Sequence, residues 1–192
     1  MIIQKLNDGF KMKTMGNEEF MNASVPGSVY SNLLENHKID DPYYRDNELK
    51  ALKLMEQDYE YKKSFNASKD MLGCEEVMLH FDGLDTLADI YLNNRHIAFV
   101  NNMHRTWEFE VKKELKEKGN ELKIIFHSPT KFIKEADERQ HIGGSDDAMR
   151  GFPQIRKAHC MFGWDWGPRL PDMGIWRDIF LLGISSARID SV

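Results

Sequence analysis

The segment GWDWGP at residues 163–168 places a carboxylate between two indole rings. A carboxylate can accept two hydrogen bonds from neighbouring hydroxyls, and an indole face packs against a patch of C–H groups. A pyranose sugar offers both surfaces, so we interpret Trp164, Asp165 and Trp166 as a candidate sugar-binding loop. The flanking glycines and proline predict a sharp, rigid turn. The alternative is that the tryptophans plug the open end of a β-sandwich while Asp165 caps backbone amides.

Other kinds of site find little support in the sequence. The seven histidines form no HExxH pair, which argues against a zinc site. Neither a GxSxG elbow nor a GxGxxG or Walker loop occurs, so a nucleophile site and a phosphate cradle are not predicted. Adjacent carboxylates such as Asp146-Asp147 would point to opposite faces of a strand, and we interpret them as surface charge. We expect no metal and no cofactor.

Basic residues crowd the region of the candidate loop. They would suit packing against Asp165 or against a carboxylate of another domain, with ordinary surface charge as the alternative. These residues are Arg150, Arg156, Lys157, Arg169 and Arg177.

Alternating apolar residues predict β-strands with one buried face. The alternating runs lie at residues 59–65, 77–81, 107–111, 122–126 and 175–181. Turn residues separate the runs, and Asn93-Asn94 is typical of a tight hairpin turn. This pattern favours an all-β fold, an antiparallel β-sandwich, over alternating strand–helix units.

Short helices are predicted at three places. Ser28 can cap a helix that follows the Pro26-Gly27 turn, a second helix begins near Asp46 or Asn47, and a third lies around residues 131–138. Residues 140–171 are rich in glycine and proline and lack a clear period. Because long ordered loops in compact domains are usually functional, we expect this segment to hold the site.

Composition limits the possible functions of the chain. It has 192 residues, of which 41% are hydrophobic and 30% charged, as in soluble globular domains. A complete (β/α)₈ barrel takes about 250 residues and is excluded. The net charge of −5 argues against nucleic acid and against an anionic membrane as partners. Cys74 and Cys160 are expected to be free thiols, and residues 1–16 lack the apolar stretch of a signal peptide, which predicts a cytoplasmic location.

Several segments together resemble the β-mannosidases of glycoside hydrolase family two. The most specific is RKAHCMFGWDWGPRLPDMGIWRDI, from Arg156 to Ile179. Four segments precede it, in the same order as in that family. The earlier segments are VPGSVYSNLL (25–34), DPYYRDNEL (41–49), FDGLDTLADIYLN (81–93) and NNMHRTWEFEV (101–111). The resemblance extends from about residue 22 to about residue 182.

The resemblance implies that residues 1–185 form a galactose-binding-domain-like jelly roll with a few short helices. Residues 186–192 would begin a linker or the next domain. The full-length protein would be an exo-acting β-mannosidase that removes terminal non-reducing β-D-mannose residues by a retaining mechanism. Its two catalytic glutamates would lie in a barrel domain further along the chain. No catalytic residue is therefore expected in these 192 residues, and the chain alone is expected to be inactive.

The resemblance also implies roles for particular residues and partners. Trp164, Asp165 and Trp166 would bind the substrate, a β-mannoside oligosaccharide, while Arg156, Lys157 and Arg177 would support the loop. The catalytic barrel domain of the same chain would be its partner, and a homodimer of the full enzyme is a further expectation. A stand-alone carbohydrate-binding module and a purely structural domain of another family-two glycosidase are the alternatives.

Overall fold

Residues 1–189 are described by a computed structural model of the chain, in which two antiparallel sheets enclose one main hydrophobic core. Among these residues the strands are β1 (Ile2–Lys5), β2 (Phe10–Thr14), β3 (Met21–Ala23), β4 (Tyr59–Phe65), β5 (Glu76–Phe81), β6 (Leu87–Leu92), β7 (Arg95–Asn101), β8 (Trp107–Glu110), β9 (Asn120–Phe126), β10 (Phe162–Trp164), β11 (Gly167–Arg169) and β12 (Ile179–Ile184). The α-helices are α1 (Val29–Glu35), α2 (Asn47–Leu54), α3 (Lys69–Gly73) and α4 (Pro129–Arg139). Short 3₁₀ turns span Lys112–Glu114, Phe152–Gln154 and His159–Met161.

The larger sheet has six strands in the order β3-β2-β4-β9-β6-β7, and the smaller has four in the order β1-β12-β5-β8. Strands β10 and β11 pair only with each other. Because side chains alternate across a strand, every second residue of β4, β5, β9 and β12 enters the space between the sheets. The predicted all-β sandwich with a few short helices is confirmed.

The predicted strands at 59–65, 77–81, 107–111 and 122–126 are confirmed by β4, β5, β8 and β9. Asn93 and Asn94 have φ angles of 52° and 66° and connect β6 to β7, as the hairpin prediction required. The predicted run at 175–181 is wrong over its first half, because the strand begins only at Ile179. Before it, the backbone of Gly174 pairs with Asp85 and the carbonyl of Ile175 accepts from Gly27 instead of joining the sheet.

Helices α1, α2 and α4 confirm the three helix predictions, whereas α3 and the strands β1 to β3 were not predicted. The long loop at 140–171 contains the β10–β11 hairpin and two of the 3₁₀ turns. Cys74 and Cys160 are free thiols, as expected. Across the part of the chain that the structure describes, no helix combines the length and the apolar character needed to cross a bilayer.

The segment after β12 is held against the smaller sheet. Arg188 donates two hydrogen bonds to the Glu108 carboxylate, at 2.7 and 2.6 Å, and this contact lowers the pKa of Glu108 to about 2. The linker predicted for residues 186–192 extends outside the described residues, which end at 189.

Helix α1 begins at a polar junction that also fixes the chain before β12. The Ser28 hydroxyl accepts from the Ser31 amide at 3.3 Å, as the cap prediction required, and the Ser31 hydroxyl accepts from the Ser28 amide at 2.8 Å. Asp172 accepts from the amides of Tyr30 at 3.1 Å and Met173 at 2.8 Å. A side chain at Gly174, whose φ is 151°, would lie 2.8 Å from the Gly27 carbonyl, so only glycine permits this close approach.

Burial raises the pKa of the Asp172 carboxyl to about 6, above its value in the unfolded chain. The protonated form is therefore favoured by folding, and its stabilising contribution is present below pH 4 and is lost as the pH rises through 6. We expect the free energy of unfolding of the native chain, minus that of Asp172→Asn, to fall by up to about 3 kcal/mol between pH 4 and 7. Urea titrations across that range measure the difference, and a flat or rising difference would contradict the assignment.

Candidate functional site

The Trp-Asp-Trp segment forms the tip of the β10–β11 hairpin. Trp164 pairs with Gly167, so Asp165 and Trp166 are the two residues of the connecting turn. Trp164 is 45% exposed and Trp166 is 74% exposed, and the Asp165 side chain is exposed as well. The alternative in which these tryptophans plug the sandwich is wrong, because both rings project from it. Among residues 1–189, no hydrogen bond joins the Asp165 carboxylate to a protein group.

The base of the hairpin is buried in a small second core. Phe162 is fully buried there with Ile133 of α4 and with Phe152 and Ile155 from the long loop. The Met149 amide donates to the Phe162 carbonyl at 2.9 Å. Because packed side chains hold fixed positions, this core gives the exposed tip a rigid support.

Glu48 and Asp147, which the sequence did not point to, position the hairpin through contacts with Arg169. The backbone amide of Arg169 donates to the Glu48 carboxylate of α2 at 3.4 Å, and its guanidinium donates to the Asp147 carbonyl at 3.3 Å. Gly163 has a φ of 109°, and a Cβ there would lie 2.8 Å from Arg169 Cγ and 2.9 Å from the Asp147 carbonyl oxygen. The hairpin therefore packs closely against the turn at residues 145–149. The side chain of Asp147 is exposed, so the surface-charge interpretation holds for its carboxylate but overlooked its carbonyl.

An open cleft of about 540 Å³ lies between the hairpin tip and the turn that precedes α2. This volume falls within the range of about 300–1,000 Å³ usual for small-molecule sites. Aromatic rings, carboxylates and two guanidinium groups share its lining. The lining residues are Pro42, Tyr43, Arg45, Glu48, Asp146, Asp147, Trp164, Asp165, Trp166, Gly167, Pro168 and Arg169.

Lys157 lies in the interior rather than beside the hairpin tip. Its side chain is 0% exposed, and its ammonium pairs with the buried carboxylate of Asp85. The Asp85 backbone exchanges two hydrogen bonds with Gly174, at 2.9 and 2.8 Å. The Arg156 carbonyl accepts from the Met103 amide at 3.0 Å. The Lys157–Asp85 ion pair thus attaches the long loop to the end of the sandwich.

Arg150, Arg156 and Arg177 make no hydrogen bond or ion pair with Asp165 within residues 1–189. Arg150 donates to Asp137 at 2.5 Å, and the Arg156 side chain is exposed. The Arg177 guanidinium lies 4.0 Å from the centre of the Trp176 ring, which packs against Gly83. The structure therefore gathers Trp164, Asp165 and Trp166 but does not bring Arg156, Lys157 or Arg177 onto the aspartate.

The described residues contain no cluster of three or more His, Cys, Asp or Glu side chains suited to a metal ion. The carboxylate and the indole rings at the hairpin tip are thus the chemically distinctive groups of the cleft. Such groups can accept hydrogen bonds from a ligand and stack against its apolar faces.

Residues 10–177 match the model of the family described as the glycosyl hydrolase 2 galactose-binding domain-like domain. The chain belongs to this family. As a galactose-binding-like domain it is 35% identical over 165 residues to the β-mannosidase of Bos taurus, covering 82% of this chain and 19% of that protein. It is 37% identical to the β-mannosidase B of Aspergillus terreus, over 87% of this chain and 20% of that protein.

A solved structure gives the same result for the fold. The β-D-mannosidase from Dictyoglomus thermophilum superposes with a TM-score of 0.95 at 38% identity, over 99% of this chain and 23% of that one. The galactose-binding-like domain thus spans about a fifth of the length of the relatives it matches. The fold implied by the family resemblance is confirmed.

We expect Lys157→Met to destabilise the domain by about 3–5 kcal/mol, because Asp85 would remain buried without its partner. The double variant Lys157→Met/Asp85→Asn should be more stable than the single one, since the unpaired charge is gone. Lys62→Met serves as the control, because Lys62 forms a half-exposed pair with Glu121 that is worth about 0–1 kcal/mol. Equal losses for Lys157→Met and Lys62→Met in denaturant unfolding would show that the buried pair has no special role.

Gly163→Ala should lower the free energy of unfolding by about 1–3 kcal/mol, because alanine would be strained at this φ and its Cβ would press on Arg169 and Asp147. The matched control is Gly167→Ala on the opposite strand, where a Cβ meets nothing within 4 Å. That variant should stay within about 0.5 kcal/mol of the native chain. If chemical denaturation gives the same value for both, the close approach at Gly163 does not constrain the hairpin.

Proposed function

We propose that this chain is the N-terminal domain of an exo-acting β-mannosidase, which hydrolyses terminal non-reducing β-D-mannose residues by a retaining mechanism. The observation that carries the proposal is the exposed Asp165 carboxylate between two exposed indoles on a rigidly supported hairpin. The names of the relatives and the small share of their length that the chain covers are consistent with it. The substrate is a β-mannoside oligosaccharide.

Asp165 accepts hydrogen bonds from two neighbouring hydroxyls of the terminal mannose in this proposal. A carboxylate has about four acceptor positions, so it can accept from both hydroxyls at once. Trp164 and Trp166 pack against the C–H groups of the ring, which the indole faces favour. These contacts fix the sugar without reacting with it.

The reacting groups belong to the partner, a barrel domain of the same chain. A retaining glycosidase needs two carboxyl groups about 5 Å apart, one as nucleophile and one as acid/base. The hairpin closes the pocket at the far side of the terminal sugar, which leaves no room for a further unit and makes the enzyme exo-acting. Hydroxyl contacts that tighten as the ring flattens in the transition state raise kcat as well as affinity.

The roles of Arg156, Lys157 and Arg177 are indirect in this proposal. Lys157 supports the loop through Asp85, Arg156 through its backbone, and Arg177 through the Trp176 ring. A cytoplasmic location and a homodimer of the full enzyme stay predictions.

We expect Asp165→Ala to lower kcat/KM for an aryl β-mannoside by on the order of 10²-fold or more in the full-length polypeptide, because a charged hydrogen-bond acceptor is lost from a closed pocket. Asp165→Asn keeps the shape of the side chain, and its kcat/KM should lie between those of the native protein and Asp165→Ala. Asp70→Ala, at an exposed aspartate of α3, is the control and should leave kcat/KM unchanged. Native kinetics in Asp165→Ala would remove Asp165 from the sugar site.

The 192-residue chain by itself should bind mannose with at best millimolar affinity, since one loop surrounds only part of a sugar. Isothermal titration calorimetry distinguishes this from the stand-alone alternative. Micromolar binding would identify a carbohydrate-binding module that needs no other domain.

A further inference from the structure

We propose that Tyr43 and Arg45 form a second sugar subsite, which contacts the saccharide unit next to the terminal mannose. This inference rests on the proposed function of the hairpin, and it makes the turn before α2 a determinant of specificity for oligosaccharides over simple mannosides. Both residues line the cleft opposite the Trp-Asp-Trp tip.

The cleft carries an unusual concentration of exposed apolar surface. Tyr43 is 75% exposed, and three of the eleven large hydrophobic side chains exposed within residues 1–189 line this cleft, namely Tyr43, Trp164 and Trp166. Exposed apolar groups that cluster in this way mark an interaction site rather than ordinary surface. Tyr43 therefore offers a second ring platform, on a chain segment separate from the two tryptophans.

The turn that carries this platform is held in a fixed shape. The Asp41 carboxylate accepts from the Tyr43 amide at 2.9 Å, and the Asp41 carbonyl accepts from Asn47 Nδ2, also at 2.9 Å. Arg45 has a φ of 54°, and its guanidinium lies 5.0 Å from the centre of the Tyr44 ring. A turn constrained in this way loses little entropy when a ligand binds.

The turn and the hairpin are joined through α2. Glu48 lies in the first turn of α2, shortly after Arg45 in the chain, and its carboxylate accepts from the Arg169 amide of β11. This bond sets the spacing between the two walls of the cleft. A ligand that reaches from one wall to the other meets two prepositioned surfaces.

The chemistry of the two walls suits a saccharide better than a protein surface. Asp165 supplies only hydrogen-bond acceptors and Arg45 only donors. Burying charges of both signs against a protein is costly unless each one finds a partner. A sugar satisfies both walls, because its hydroxyls donate to a carboxylate while its hydroxyl and ether oxygens accept from a guanidinium.

The test compares two substrates of the full-length polypeptide. Methyl β-D-mannoside has a one-carbon leaving group that cannot reach Tyr43, whereas β-1,4-mannobiose places a second ring beyond the scissile bond. Tyr43→Ala should lower kcat/KM for mannobiose about tenfold, as expected for loss of a stacking platform, and change the value for the methyl mannoside less than about twofold. Tyr43→Phe keeps the ring and should retain most of the activity on mannobiose.

The controls separate this proposal from the one on which it rests. Phe99→Ala removes an exposed aromatic ring from β7 and should leave kcat/KM unchanged for both substrates. If Asp165→Ala lowers kcat/KM for both substrates while Tyr43→Ala lowers it for neither, the hairpin function stands and the second subsite is overturned. If Asp165→Ala lowers kcat/KM for neither substrate, the proposed function is overturned, and the subsite that rests on it is overturned as well. Equal loss on both substrates in Tyr43→Ala, with a lower melting temperature, would assign Tyr43 to a contact between domains and overturn the subsite.

Discussion

A buried ion pair between Lys157 and Asp85 holds the long segment between α4 and β12 against the end of the sandwich. Both side chains are buried, so each charge depends on the other and the contact must form whenever the domain folds. The Asp85 backbone extends the same junction to Gly174, and Asp172 connects it to the start of α1. Separate parts of the chain thus meet at one buried polar junction.

The position of the hairpin follows from this junction. The segment that contains β10 and β11 is fixed on one side by Lys157 and on the other by Asp172, and the Phe162 ring anchors it in the second core. The residues of the tip therefore make few of the contacts that stabilise the domain. Its exposed indoles and unbonded carboxylate are free for a ligand because residues elsewhere hold the backbone in place. In the proposed function, stability and sugar binding thus depend on different residues of one loop.

Local patterns predicted much of the sandwich, because alternation reports directly which residues face a core. They failed where contacts distant in the chain decide the structure. Gly174 pairs with Asp85 and the Ile175 carbonyl accepts from Gly27, so the strand does not begin at 175. Strands β1 and β2 mix lysines with apolar residues, and β3 has only three residues. Confirmation of the Ser28 cap and the Asn93-Asn94 turn shows that such signals work over a few residues.

The candidate site at the hairpin tip could be predicted from the sequence because its three residues are adjacent. Tyr43, Arg45 and Glu48 could not, since they lie more than a hundred residues before the hairpin and only the fold brings them to the same cleft. The partner of Lys157 is likewise 72 residues away. Long-range pairings of this kind depend on the packing of whole elements and leave no local pattern in the chain.

The most direct test is a crystal structure of the full-length polypeptide with a mannose-configured inhibitor. The account predicts that the Asp165 carboxylate lies about 2.7 Å from two neighbouring hydroxyls of the bound ring, with Trp164 and Trp166 against it. An inhibitor bound beside the catalytic glutamates with Asp165 beyond hydrogen-bonding distance, and with both indoles facing solvent, would contradict it.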